Sequence, residues 1–238
     1  NTDFVADGAI TSGKPVILNS AGTVTPVGMG PGSVAGTPVV FEAAGTNYLS
    51  ATFDSNSNKV VIAYEDDDNL DKGTAVVGTV SGDSISYGTP VVFSAGDIQE
   101  TAITFDSNSN KVVIVYRNSD SFDRGYAVVG TVSGDSISYG TPVEFEAASV
   151  SGFGLGVTFD SNSNKVVIAY TDAGNSSYGT AIVGTVSGTA ISFGTAAVFN
   201  SATTYYTAAT FDSNSNKVVI AYRDGGNSYH GYGIVGTV

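Results

Sequence analysis

Short stretches in which nearly every residue is apolar recur along the chain. In the first clear example, Lys-Val-Val-Ile-Ala-Tyr at 59–64, three apolar side chains would lie on one side of an extended strand and two on the other. A strand with one solvated side would instead alternate apolar and polar residues. The pattern therefore predicts a strand buried on both faces, in the middle of a sheet stacked between two others.

This stretch is part of a segment that occurs four times without substitution. The segment Phe-Asp-Ser-Asn-Ser-Asn-Lys-Val-Val-Ile begins at Phe53, Phe105, Phe159 and Phe211, so the copies are 52, 54 and 52 residues apart. A nearly constant period of this length is typical of repeat architectures. The chain is therefore predicted to contain four copies of one structural unit.

Each unit is predicted to contain four strands, called a to d. In the first repeat these are residues 51–54, 59–64, 75–80 and 85–93. The a–b link, Ser-Asn-Ser-Asn, and the c–d link, Ser-Gly-Asp, contain the Asn and Gly that tight hairpin turns favour. Four-stranded meanders of 40 to 55 residues are the signature of a β-propeller blade.

The two ends of the repeat region complement each other. The fourth repeat matches strands a to c only, and residues 36–41, Gly-Thr-Pro-Val-Val-Phe, are identical to residues 88–93 in strand d of the first. An N-terminal strand that completes the last blade would remove exposed edges. We therefore predict an all-β fold: a four-bladed propeller of antiparallel meander blades over 33–238, closed by this strand. The alternatives are an open β solenoid and a fragment of a larger ring.

Residues 1–32 lie outside the repeat. Two short apolar stretches, 14–19 and 23–27, flank Ser-Ala-Gly and predict a further hairpin, and the glycine-rich stretch 28–32 is expected to be a linker. A lone hairpin is barely stable in water. We expect this hairpin to pack on the propeller or on a partner.

Composition narrows the function classes. Thirty glycines and few strong helix formers favour strands and turns over helix. The net charge of −13 disfavours nucleic acids and anionic membranes as partners, and no apolar stretch reaches the roughly 18 residues of a membrane span. Cysteine is absent, which excludes disulfides and thiolate metal sites. Because the chain begins at Asn1, without Met or a leader pattern, we expect a processed chain or a fragment.

The b–c and d–a connections differ between repeats, whereas the a–b and c–d turns hardly vary. In a meander the two kinds of connection emerge on opposite faces, so all divergent segments share one face. Aromatic rings combined with carboxylates and amides are suited to holding sugar rings. The alternative is that these loops vary freely and the tyrosines cover the blade ends. The candidate ligand-binding residues are Tyr48, Asp66, Asp68, Phe122, Asp123, Phe153, Asp172, Tyr178, Tyr205, Tyr206, Asp224, Tyr229 and Tyr232.

The repeated Asp-x-Asn-x-Asn resembles the first half of a calcium-binding loop. However, a lysine stands where such loops place glycine, and the later bidentate Glu is missing. We therefore favour a hairpin stabilised by its Asx side chains, without a cofactor, over a calcium site. The ligands of the calcium alternative would be Asp54, Asn56 and Asn58, with Asp106, Asp160 and Asp212 in the other repeats. A second metal candidate is the acidic run 65–68 with Asp71, but it occurs in one repeat only and we favour a solvated loop.

Signals for catalysis are few. His230 is the only histidine and lies in a predicted loop, and there is no thiol nucleophile. Paired carboxylates for glycoside hydrolysis are unspecific in a chain with 22 acidic residues. We expect a protein that is not an enzyme.

The repeat, with its runs Phe-Asp-Ser-Asn-Ser-Asn-Lys-Val-Val-Ile-Ala-Tyr and Gly-Thr-Val-Ser-Gly-Asp-Ser-Ile-Ser-Tyr-Gly-Thr-Pro-Val-Val-Phe, resembles repeats in virion fibre and appendage proteins of marine bacteriophages. Residues 8–24 resemble a short module at the start of such proteins. The resemblance covers nearly the whole chain and implies a virion surface component, without any assigned catalytic or binding residues.

These observations together predict a non-enzymatic structural and adhesion protein on a virion surface or outside cells. We expect residues 1–32 to contact other virion or surface-assembly proteins, the divergent face to contact host glycans, and the chain to form a homo-oligomer or part of a larger assembly. The alternatives are a glycan-processing enzyme that uses the same face and a purely structural filament or coat subunit.

Overall fold

The computed structural model describes residues 36–238 and, before them, the backbone of three short strands, and it leaves out the side chains of residues 152 and 153. The three strands are β1 (Val5–Ala6), β2 (Val16–Leu18) and β3 (Thr23–Pro26). The chain divides into two compact units, Asn1–Pro38 and Val39–Val238.

In the first unit, β3 pairs in antiparallel fashion with β2 and in parallel fashion with β1. The β2–β3 pair agrees with the predicted hairpin. The sequence did not reveal β1, because two residues carry no periodicity. The predicted linker, 28–32, lies outside the described residues.

Fifteen strands in the second unit are linked by antiparallel pairing into one continuous network of hydrogen bonds. They are β4 (Thr46–Asp54), β5 (Lys59–Asp66), β6 (Lys72–Ser81), β7 (Ser84–Tyr87), β8 (Val91–Asp106), β9 (Lys111–Asn118), β10 (Arg124–Ser133), β11 (Ser136–Tyr139), β12 (Val143–Asp160), β13 (Lys165–Asp172), β14 (Tyr178–Ser187), β15 (Ala190–Phe193), β16 (Ala197–Asp212), β17 (Lys217–Asp224) and β18 (His230–Gly236).

The helical content of residues 36–238 is limited to three 3-10 turns, Asp67–Asn69, Ser119–Ser121 and Ala173–Asn175. These turns lie in three of the predicted b–c connections. Within the described part of the chain there is no helix of the length and apolar character needed to cross a membrane.

Each repeat forms one sheet, and the longest strands pass from one sheet to the next. Sheet 1 contains β4 to β7 and the start of β8, whose remainder from residue 98 is the first strand of sheet 2. Sheet 2 continues with β9 to β11 and the start of β12, sheet 3 with β13 to β15 and the start of β16, and sheet 4 with β17 and β18.

Two local features differ from the predicted strands. Predicted strand d is two pieces in sheet 1, β7 and the start of β8, because Gly88–Thr89–Pro90 interrupts it and proline has no N–H to donate. The d–a connections predicted as loops are instead part of the continuous strands β8, β12 and β16.

The sheets stack face to face, and three apolar clusters lie at the three junctions between them. Between sheets 1 and 2, Val61 and Ala63 pack in the same cluster as Val112 and Ile114. The other side of the same strand β9 packs against sheet 3 through Val113, among other residues. The predicted burial of strand b on both faces is therefore confirmed in the inner sheets.

Closure of the ring is where the structure departs from the prediction. Residues 36–41 are not in a strand, and among residues 36–238 the outer edge of β18 has no partner strand. Phe53 on the outer face of sheet 1 is 54% exposed and Val235 on the outer face of sheet 4 is 63% exposed, so these two faces do not cover each other. The all-β antiparallel repeat organisation is confirmed, whereas a closed four-bladed ring is not seen. The repeat motif encodes the strands of a unit but not the angle between successive units.

Candidate ligand-binding face

The divergent b–c and d–a segments are linked to one another by backbone hydrogen bonds. The amide of Ile98, in the d–a segment, donates to the carbonyl of Asp71, in the b–c loop, at 2.9 Å. The amide of Val150 donates in the same way to the carbonyl of Asp123, at 2.8 Å, in the next repeat. The structure therefore brings these segments together on one face, called here the loop face.

A bulge shapes the loop face at one position of every repeat. Tyr48, Glu100, Gly154 and Tyr206 have φ angles of 48°, 50°, 123° and 53°, and the pairing of each strand with its neighbour shifts there. At a bulge the extra residue re-aims the side chains next to it. In sheets 1, 2 and 4 a side chain next to the bulge, from Asn47, Gln99 or Tyr205, contacts the first residue of the b–c loop.

The b–c loops also share a local conformation. Two consecutive residues with positive φ follow each 3-10 turn, and Ser228 and Tyr229 have the same conformation in the fourth loop. The second residue of these pairs is Asp71, Asp123, Ser177 or Tyr229. The backbone conformation of these loops is thus the same in all four repeats, whereas the side chains that they carry differ.

The first residue of the b–c loop differs between repeats. In sheet 1 it is Glu65, and its surroundings are acidic. The amide of Asn47 donates to Oε1 of Glu65 at 3.0 Å and to Oδ1 of Asp67 at 2.9 Å. Carboxylate oxygens of Glu65, Asp67 and Asp71 lie within 4.8 Å of one another. Burial, with a smaller contribution from Asp71, raises the pKa of Glu65. The arrangement is a crowded acidic cluster in which an amide bridges two of the carboxylates.

In sheet 2 an arginine occupies the equivalent position and is neutralised by its neighbours. Nη1 of Arg117 lies 2.7 Å from Oδ1 of Asp123, and Nη2 donates to the side-chain oxygen of Gln99. The bulge residue Glu100 accepts a hydrogen bond from the amide of Gly154 at 3.1 Å, and burial raises its pKa. The charged groups of Arg117, Asp123 and Glu100 therefore bind other groups of the protein.

In sheet 4 the arginine at the same position is surrounded by aromatic rings. The guanidinium carbon of Arg223 lies 4.6 Å from the ring centre of Tyr205, 4.7 Å from that of Tyr206 and 5.0 Å from that of Tyr229. All three distances are within the range of cation–π attraction. Tyr206 and Tyr229 are nevertheless 60% and 59% exposed, so their rings also face solvent.

The structure thus brings three of the predicted site residues, Tyr205, Tyr206 and Tyr229, into one cluster. Arg223, which contacts all three rings, is not among the site residues predicted from the sequence. A signal was present: the sixth residue after the repeated lysine is Glu65, Arg117, Thr171 or Arg223, a change of chemistry directly after an invariant strand.

Several other predicted site residues have structural partners. Oδ1 of Asp172 accepts the amide of Asn175 at 3.0 Å and Oδ1 of Asp224 accepts the amide of Gly226 at 2.8 Å, so both carboxylates stabilise their own loops. Asp66 is buried, and burial followed by Glu42 raises its pKa.

The remaining predicted residues are spread over the face. Asp123 pairs with Arg117 as described above, and Tyr232 stacks on Tyr222 with ring centres 5.7 Å apart. Phe122 is 83% exposed, and Tyr48 is 43% exposed in a different sheet. Asp68 is exposed and Tyr178 is half-buried, while the side chain of Phe153 lies outside the described residues.

The repeated Asp-Ser-Asn-Ser-Asn turn lies at the opposite end of the sheets and is explained by its own hydrogen bonds. Oδ1 of Asp54 accepts the amides of Asn56 and Ser57 at 2.9 and 3.0 Å, and Oδ2 accepts the Ser57 hydroxyl at 2.6 Å. Asn58 has a φ of 56°, which asparagine tolerates better than most residues. This is the Asx-stabilised hairpin favoured from the sequence.

Comparison with known proteins adds no assignment to this geometry. No protein-family model matches the chain, and no curated protein sequence matches it.

Proposed function

We propose that this protein is a non-enzymatic adhesion protein of a virion or other extracellular surface, and that its loop face binds glycans of a host surface. The observation that carries the proposal is the cluster of Tyr205, Tyr206 and Tyr229 around Arg223. Exposed aromatic rings held in fixed positions are the surfaces on which the C–H faces of sugars stack.

The role of Arg223 in this site is to hold the rings. Its guanidinium is half-buried and lies within 5.0 Å of all three ring centres. Rings that are already ordered lose little freedom when a sugar binds, which favours affinity. Tyr206 is also fixed by the backbone, because it is the bulge residue of its repeat.

We infer that the ligand is a neutral glycan rather than an anionic one. The chain carries a net charge of −13, so its long-range field repels polyanions. The guanidinium carbon of Arg223 lies within 5.0 Å of the three ring centres, so a ligand at this site would meet aromatic rings beside the cationic group and not an isolated positive charge. A hexose or N-acetylhexosamine at the end of a glycan fits these conditions.

The repeat units are, in this proposal, blades of a propeller-type array whose connectivity supports the assignment. Each of the first three sheets has its strands in meander order, and its last strand continues into the first strand of the next sheet. Residues 1–32 would attach the array to other proteins of the virion or surface assembly. The loop face would then be available to the host.

The proposal is tested with glycan arrays and with binding curves for the best neutral glycan. We expect Tyr206→Ala and Tyr229→Ala each to weaken binding by roughly 3- to 10-fold, as stacking contacts of about 0.5–1.5 kcal/mol require. Arg223→Gln should weaken binding as well, because the rings lose their support.

Phe122→Ala is the matched control, since this aromatic residue is also exposed and lies in the b–c loop of sheet 2. Binding that Phe122→Ala abolishes and the tyrosine variants leave intact would move the site to sheet 2. An array without any glycan signal would refute the proposal, and release of sugar products during binding would show an enzyme instead.

A further inference from the structure

The stack of four sheets exposes an apolar face at each end. On sheet 1 the outer face contains Phe53, Val60 and Ile62, of which Phe53 is 54% exposed and the other two are partly exposed. On sheet 4 it contains Val219, Ala221 and Val235, of which Val235 is 63% exposed. Contiguous apolar surfaces of this kind mark interaction sites.

The two exposed faces have the same residues as two faces that are buried against each other inside the chain. Between sheets 1 and 2, Val61, Ala63 and Val77 of one sheet pack in one cluster with Phe105, Val112 and Ile114 of the next. Those six residues are, position by position in the repeat, identical to the six residues of the outer faces. The face of sheet 4 is therefore complementary to the face of sheet 1.

Phe41 already occupies the place that belongs to a preceding sheet. Its ring lies 5.2 Å from that of Tyr64 and 5.6 Å from that of Tyr87. Phe93, from the last strand of sheet 1, makes the same pair of contacts with Tyr116 and Tyr139 in sheet 2, at 5.3 and 6.0 Å. Phe41 thus lies on sheet 1 at the position that Phe93, from the last strand of the preceding sheet, has on sheet 2.

Sheet 4 has room for that strand. A Cβ atom on Gly73 would lie 2.4 Å from the ring of Phe93, and the equivalent Gly125 would clash with Phe145 in the same way. At Gly231, the equivalent position in sheet 4, no atom of the described residues lies within 4 Å of such a Cβ. A separate groove of about 220 Å³ lies at the end of β18 between sheets 3 and 4, lined among others by Phe199 and Ile234.

We propose that sheet 4 of one copy stacks on sheet 1 of a second copy, which donates residues 36–41 as the missing strand along β18. The pairing follows from the register of β6 with β8, in which Thr74 is opposite Val92 and Ala75 opposite Val91. In the junction between copies, Val40 would face Tyr232 and Val39 would face Gly233.

This junction repeats the one inside the chain, so the array continues from copy to copy. Val39 and Val40 of the donated strand are 40% and 75% exposed and would be covered. A contact between two different surfaces of the same protein is heterologous, and it produces a ring or a filament according to the rotation per copy. The inference does not depend on the glycan site.

The test is the oligomeric state of the 238-residue chain and of two variants that block one end each. By light scattering and sedimentation over a range of concentrations, we expect the unmodified chain to assemble beyond the monomer. Phe53→Lys and Val235→Lys should each prevent assembly when alone. Mixed together they should form a 1:1 dimer, because each retains the end that the other lacks.

The strand contact is tested separately with Gly231→Leu, which fills the place reserved for Phe41 of the second copy. Since no atom of residues 36–238 outside its chain neighbours lies within 4 Å of a Cβ at this position, the variant should keep its thermal stability and lose association by at least about 10-fold. Leu70→Lys is the control: Leu70 is 76% exposed in a b–c loop, and this change should leave assembly intact.

Three results would overturn the proposal. The first is an unmodified chain that stays monomeric up to its solubility limit. In that case the two end faces would either contact each other within one chain or stay uncovered. The second is a single blocked variant that still dimerises, which would indicate contact between like ends. The third is a mixture of the two blocked variants that stays monomeric.

Discussion

The ring of Phe93 lies 5.3 Å from the ring of Tyr116 and joins the last strand of sheet 1 to the second strand of sheet 2. The same contact occurs at every unit, with 5.2 Å for Phe41 and Tyr64, 5.3 Å for Phe145 and Tyr170 and 5.1 Å for Phe199 and Tyr222. This aromatic pair is the repeated link between consecutive units.

Removal of one such link should destabilise the whole stack. Phe93 is 6% exposed, so Phe93→Ala leaves a cavity and should lower the free energy of unfolding by about 3–5 kcal/mol. Denaturant unfolding followed by circular dichroism measures this. Phe122→Ala, at an 83% exposed position, should change it by less than about 0.5 kcal/mol. Equal effects of the two variants would contradict the interpretation.

Glycine is required at the bulge of sheet 3. Gly154 has a φ of 123°, and a Cβ atom there would lie 2.4 Å from the backbone nitrogen of Thr207. Gly154→Ala should therefore cost more than about 1 kcal/mol of stability. Gly233→Ala is the matched control, because a Cβ at Gly233 meets no atom within 4 Å in the part of the chain that the structure describes. A thermal midpoint for Gly154→Ala as high as that of the control would show that the backbone adjusts freely.

The stability of the fold should fall as the pH rises toward neutrality. Burial raises the pKa of several carboxyl groups in the folded chain, among them Glu65, Asp97 and Glu100. A carboxyl group whose pKa is raised by folding binds its proton more tightly in the folded state. Its contribution to the free energy of unfolding is fully present below the pKa of the unfolded chain, 3.8 for Asp and 4.5 for Glu. This contribution is lost as the pH rises through the pKa of the folded state. Asp135 and Asp212 have lowered pKa values, and their stabilising contribution is lost only at more acidic pH.

We therefore expect the urea midpoint to be higher near pH 4, close to the unfolded pKa values, than at pH 7. Glu100→Gln should reduce this difference, since it removes one of the groups that must ionise while buried. A midpoint that stays constant or increases toward pH 7 in the unmodified chain would contradict the expected sign.

The invariant turns should depend on their aspartates and not on added calcium. Oδ1 of Asp106 accepts the amides of Asn108 and Ser109 at 2.9 and 3.0 Å, so Asp106→Ala should cost about 1–3 kcal/mol through the unpaired amides. Ser107→Ala, at an exposed neighbouring position, should have little effect. A thermal midpoint that rises on addition of calcium and falls with a chelator would instead establish the turns as cation sites.

Much of the local structure follows from short-range patterns. Five consecutive apolar residues in strand b require two covered faces, and residues 112–116 are indeed 0–1% exposed. The Asp-Ser-Asn-Ser-Asn segment forms a tight turn by itself, since Asp54 bonds only to residues two and three positions away. Patterns of this kind are visible in a sequence because the interacting residues are neighbours along the chain.

The candidate site could be located only in part. The divergence of the b–c and d–a segments identified the loop face, but not which of its residues meet. Tyr205 and Tyr229 are 24 positions apart, and their rings come to 6.0 Å only because a bulge turns one strand and a left-handed pair turns the facing loop. Neither the bulge nor the contact between Arg223 and the rings beside it produces a periodic pattern in the sequence.

By itself, the sequence determined the number of repeats, the all-β class, the strands buried on both faces and the chemistry of the turns, because these depend on neighbouring residues and a period of two. Tertiary structure alone decided that the connections between units are continuous strands, that three tyrosines surround Arg223 and that the faces of Phe53 and Val235 remain open. These features depend on the register and on the angle between stacked sheets, which identical repeats leave unspecified.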